Sequence, residues 1–150
     1  MLVLTAAPAA GRGCELVLSE HRSGRELARL PLDAALPSAQ IAFTHSVLGT
    51  PVADHYVWRA DGSGQWRAHL IEERFEGDGY GLPNAAGPGE TLTRDGDGWR
   101  LRLDRVVHPL VVLPLPSQQM RVMIGERAAV LLGALSRVSI AMRVAHCAPQ

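Results

Sequence analysis

Apolar and polar residues alternate along most of the chain, and a period of two residues is typical of β-strands. Turn residues separate the alternating runs, as at 22–24, 61–64 and 95–98. Helical periodicity nowhere lasts beyond about two turns, and only 128–135 favours a short helix. We therefore predict an all-β fold of about ten short strands, either an antiparallel β-sandwich or a partly open β-barrel.

Two of the predicted strands carry polar side chains on their apolar faces. In the strand at 40–47, His45 alternates with Phe43 and so shares its face with bulky residues. In the strand at 52–60, Asp54 lies between Val52 and Tyr56 on one side. A break at Thr50-Pro51 separates the two strands, because proline cannot donate a ladder hydrogen bond.

The next predicted strand, at 65–76, ends in a pair of acids followed by a glycine-rich loop. Along it, Glu73 and Phe75 occupy one face and Glu72 and Arg74 the other. The loop at 77–90 contains Gly79 and Gly81, which allow backbone conformations that other residues avoid. No helix start follows these glycines, so they do not predict a phosphate-binding loop.

Length and charge limit the class of protein. A chain of 150 residues fits one domain, which we place at 14–147, after a flexible segment or signal remnant at 1–13. The 15 basic and 15 acidic residues are intermixed, which gives no footprint for nucleic acid. No apolar run reaches the roughly 20 residues that a transmembrane helix needs.

The two cysteines, Cys14 and Cys147, lie near opposite ends of the predicted domain. If the ends of the domain lie on neighbouring strands, the pair can form a disulfide in an oxidising compartment. Two free thiols are equally compatible with the sequence. The spacing excludes a CxxC redox or zinc pair.

Five residues are the candidates for chemistry: His45, Ser46, Asp54, Glu72 and Glu73. One imidazole and two carboxylates can hold a divalent ion, which makes a metal-dependent hydrolase using His45, Asp54 and Glu72 one hypothesis. A purely structural role is another, in which His45 donates to a buried carboxylate and fixes the strand register. No motif in the sequence predicts a cofactor.

At these residues the chain resembles the domain of unknown function 1850 family, small bacterial proteins commonly encoded beside TRAP transporters of the TAXI type. The resemblance lies in the segments 43–47, 50–54, 72–75 and 79–83. It implies that His45, Ser46, Asp54 and Glu72 form a shared polar signature.

From this resemblance we expect a noncatalytic accessory or binding protein of the cell envelope or periplasm; without a complete signal peptide, a cytoplasmic location stays open. The expected partners are TAXI-type transporter components or a small anionic solute. Its site would combine the His45 strand with Thr50, Gly79 and Gly81, and Arg59 or Arg74 would pair with the anion if either faces it.

Overall fold

Eleven β-strands make up most of the regular structure in residues 13–149, the part of the chain that this computed structural model describes. The strands are β1 (Glu15–Glu20), β2 (Glu26–Pro31), β3 (Ser38–Thr44), β4 (Pro51–Ala60), β5 (Trp66–Phe75), β6 (Thr91–Asp95), β7 (Gly98–Val107), β8 (Leu110–Val112), β9 (Arg121–Met123), β10 (Val130–Leu131) and β11 (Ile140–Ala145). Helical structure in these residues is limited to a 3-10 turn at Pro116–Gln118 and one short helix, α1 (Leu132–Leu135). The all-β prediction is confirmed.

The strands form two antiparallel sheets. The smaller sheet has the order β2-β1-β11-β8, and the larger has the order β10-β9-β3-β4-β5-β7-β6. Leu16 and Ile140 of the smaller sheet join Ile41 and Leu101 of the larger in one buried apolar cluster. Two sheets that share a core between their faces form a β-sandwich, and within residues 13–149 they do not close into a barrel.

A β-bulge in β5 decides which side chains of this strand face the core. Tyr56 pairs with Leu70 and His55 pairs with Glu72, which leaves Ile71 as the extra residue. After the bulge the alternation resumes, so that Val52 pairs with Phe75 and both are buried. The bulge therefore keeps the apolar residues on both sides of it directed inward.

The two ends of the described chain lie on neighbouring strands, because β1 pairs with β11 and Glu15 lies opposite Ala145. Cys14 and Cys147, just outside this register, are joined in a disulfide across a sequence separation of 133 residues. Of the two states that the sequence leaves open for these cysteines, the structure has the bridged one.

The predicted flexible segment at 1–13 lies outside the described residues except for Gly13. Among the described residues, no helix has the length and apolar character needed to cross a membrane.

Candidate functional site

A cavity of about 220 Å³ opens at the end of the sandwich where β3 and β5 finish and β4 begins. Its apolar walls come from residues of these strands and of the loop after β5: Phe43, Val52, Phe75, Leu82 and Pro83. Its polar lining includes the side chains of His45, Ser46, Asp54 and Glu73. We call this cavity the acid pocket.

Asp54 and Glu73 are direct cross-strand partners in the pairing of β4 with β5. Because both follow the alternation set by the buried Val52 and Phe75, both point to the core side of the sheet. The Oδ1 atom of Asp54 is buried and has no hydrogen-bond partner among the described residues. A buried acceptor without a partner costs about 1–3 kcal/mol, so the fold holds this carboxyl at a loss of stability.

Burial raises the pKa of Asp54 to about 7, and the negative charge of Glu73 adds to the shift. Burial also raises the pKa of Glu73, while Arg105 opposes this rise and Glu90 adds to it. Arg105 is paired with Glu90 at 3.2 Å, so its charge is largely balanced. The acid pocket therefore contains one carboxyl that exchanges its proton near neutral pH beside a second, partly buried carboxyl.

His45 follows the last residue of β3, and its side chain bonds only to backbone groups among residues 13–149. Its Nδ1 accepts the N–H groups of Val47 and Leu48, each at 3.2 Å. The ring proton is therefore on Nε2, which donates to the Tyr80 carbonyl at 3.1 Å. The bond from His45 to a buried carboxylate, expected under the structural hypothesis, is not formed; His45 instead joins the β3–β4 turn to the loop after β5.

Of the predicted site residues Thr50, Gly79 and Gly81, Gly81 lines the acid pocket, whereas Thr50 and Gly79 lie outside its lining. The Thr50 hydroxyl donates to the Glu76 carbonyl at 3.0 Å, a second link between the β3–β4 turn and the end of β5. Gly79 and Gly81 have φ angles of 74° and 87°, in the region that side chains disfavour. These angles let the loop turn back toward His45, so that Gly81 contributes to the pocket wall.

Glu72 does not join the other predicted site residues. It points away from the acid pocket, to the outer face of the large sheet, where its carboxylate lies 2.7 Å from Arg74 Nε and 3.9 Å from Arg100 Nε. The acid that the strand does place beside Asp54 is Glu73, which the family resemblance did not single out. The alternation of the strand indicates the inward position of Glu73, since Glu73 is two residues before the buried Phe75.

The set proposed for a metal-dependent hydrolase, His45, Asp54 and Glu72, is therefore not assembled. Among residues 13–149, no group of three or more histidine, cysteine or acidic side chains is arranged to hold a metal ion. Nor do the two arginines proposed for an anion line the acid pocket. Arg59 pairs with Asp104 at 2.7 Å, and Arg74 is engaged by Glu72.

The fold and the acid pocket define a small all-β sandwich protein with a pair of partly buried carboxyls at one end. The chain belongs to the family described as Domain of unknown function (DUF1850), whose model matches residues 39–131. This range contains every residue that lines the acid pocket. No curated protein matches the chain, and no solved structure matches it either.

Proposed function

We propose that the protein is a noncatalytic binding protein and that the acid pocket is its solute site. The observation that carries this proposal is Asp54, a carboxyl on the cavity wall whose buried Oδ1 atom has no hydrogen-bond partner among residues 13–149. Strongly perturbed acids in cavities cluster at functional sites, where chemistry or binding requires a group that is unfavourable for stability.

The lining favours a particular chemistry of solute. Two carboxyls accept hydrogen bonds from hydroxyl or amino groups, whereas Phe43 and Phe75 pack against hydrocarbon. A cavity of about 220 Å³ admits a solute smaller than a typical drug-sized ligand. We therefore propose a small hydroxylated or amino-bearing solute in place of the anionic one expected from the resemblance.

Calorimetry with matched variants tests the site. Among small hydroxy and amino compounds titrated at pH 6 and pH 8, we expect at least one to bind the unmodified protein. At pH 8, where Asp54 is ionised, Asp54→Asn and Glu73→Gln should each weaken its binding at least about tenfold, since each removes a carboxylate acceptor. Glu72→Gln is the control, because Glu72 has the same chemistry on the opposite face, and it should bind normally.

Two results would count against this site. One is an absence of binding by every compound at both pH values. The other is equal loss of affinity in Glu72→Gln and Asp54→Asn, which would indicate a general effect of charge rather than a contact in the acid pocket.

We further propose that the protein acts in the cell envelope beside a TAXI-type TRAP transporter. The disulfide between Cys14 and Cys147 supports an oxidising compartment, where such bonds persist. The family supports the transporter association through the resemblance described above. A calorimetric titration of the protein against the transporter's soluble component should show binding, and no heat with or without the solute would overturn the association.

A further inference from the structure

A second surface, which shares no lining residue with the acid pocket, combines exposed apolar side chains with arginines that have no ion pair among residues 13–149. It consists of two depressions of about 660 Å³ and 450 Å³ that both have Arg137 in their walls. We call these two depressions together the Arg137 groove.

The Arg137 groove is rich in exposed hydrocarbon. Of the eight large apolar residues that are exposed in the described chain, four line it: Leu113, Leu115, Leu131 and Val138. Half of the exposed large apolar residues are thus collected at one place. Surface apolar residues gathered into a groove mark a binding site more often than scattered ones do.

The charges in the groove are not balanced. Arg137 and Arg22 are both exposed and have no hydrogen bond or ion pair among residues 13–149. Glu20 is the one acid in these walls, and its carboxylate is already engaged by Arg25 and by the hydroxyls of Ser23 and Ser136. An anion entering the groove therefore meets two free guanidinium groups.

We propose that the Arg137 groove binds a carboxylate that carries an unbranched apolar chain. The carboxylate would pair with Arg137, whose planar fork suits two-point contact with a carboxylate. The chain would lie in the larger depression, against Leu115, Leu131 and Met120. This ligand differs in charge and in length from the solute proposed for the acid pocket, and the two proposals stand independently.

A series of straight-chain carboxylates tests the proposal, with octanoate, decanoate and dodecanoate titrated below their micelle concentrations. We expect the dissociation constant to fall by up to about fourfold for each added methylene, which is the value for full burial of that group. Arg137→Gln should weaken decanoate binding at least about tenfold. Leu131→Ser should reduce the dependence on chain length while leaving the carboxylate contact in place.

The matched control is Arg102→Gln, since Arg102 is an exposed arginine without an ion pair among the described residues and lies on β7 of the large sheet. It should bind decanoate as the unmodified protein does. A decyl ammonium salt that binds as tightly as decanoate would overturn the role of charge, and normal affinity in Arg137→Gln would overturn the site. A third outcome would also overturn the proposal, in favour of a protein partner. In it, an acidic apolar peptide binds in a way that depends on Arg137, and no carboxylate of the series binds.

Discussion

Asp54→Asn is expected to raise the free energy of unfolding by about 2–4 kcal/mol at pH 8 and by less than half as much at pH 5. The reason is the environment of the carboxyl, whose burial beside Glu73 raises its pKa from 3.8 to about 7. An amide of nearly the same shape carries no charge at any of these pH values. Urea denaturation of both proteins at pH 5 and pH 8 measures the difference.

The sign follows from counting protons. The unfolded chain releases the Asp54 proton near its ordinary pKa of 3.8, whereas the folded protein holds it until about 7. Between these values the folded state binds more protons, so the stability that Asp54 contributes is complete below about pH 4, falls progressively as the pH rises, and is lost by the time the pH has passed about 7. Asp54→Asn should remove this loss, and the variant should therefore show a flatter dependence of stability on pH.

Asp61→Asn provides a control of opposite sign. The Asp61 carboxylate accepts hydrogen bonds from the hydroxyl and N–H of Ser63 and from the N–H of Gln65, which lower its pKa to about 2. Asp61→Asn should therefore destabilise the protein at pH 8. Equal pH profiles for Asp54→Asn and the unmodified protein would contradict an ionisable, buried Asp54.

Local alternation carries much of the fold prediction and part of the site prediction. Val52, Asp54 and Tyr56 occupy alternate positions in β4, and the structure directs all three to the core side. The face of Asp54 follows from these neighbours alone. The prediction that the cysteines can form a disulfide carries a condition, that the two ends of the domain lie on neighbouring strands. The structure meets this condition because β1 pairs with β11.

Which acid lies across the sheet from Asp54 does not follow from local alternation. Consecutive acids at 72 and 73 point to opposite faces of the sheet. Without the bulge at Ile71, Glu72 would share the inward face of Leu70; with the bulge, Glu73 faces inward instead. Counting back from Phe75 gives Glu73, whereas counting forward from Leu70 gives Glu72. Pairing between strands decides between the two counts, and this information is not local to the strand.

His45 shows a second limit, because one of its partners, the Tyr80 carbonyl, is a backbone group distant in sequence. Residue type and alternation indicate a histidine directed toward Phe43, as the structure has it. The acceptor of its Nε2 proton, the Tyr80 carbonyl, depends on the path of a glycine-rich loop 35 residues away. Sequence patterns identify such a loop but do not fix where each of its carbonyl groups points.

The hydrogen bonds of His45 lead to a prediction that separates its contact with the β3–β4 turn from its contact with the loop after β5. His45→Ala removes the acceptor of two N–H groups and the donor to the loop, and should lower the free energy of unfolding by about 1–3 kcal/mol. His45→Asn places a carbonyl oxygen close to the position of Nδ1, so it should keep the turn at Val47 and Leu48 while losing the bond to Tyr80.

Hydrogen exchange resolved by residue distinguishes these effects. In His45→Asn the amide of Leu82, which donates to the Gly79 carbonyl within the loop, should exchange faster, while those of Val47 and Leu48 stay protected. Unchanged exchange at Leu82 would contradict the link between His45 and the loop. Because the loop forms one wall of the acid pocket, a variant that stays stable but binds solute more weakly would make His45 a positioning residue for the site. Unchanged affinity in a destabilised variant would instead leave it a purely structural one.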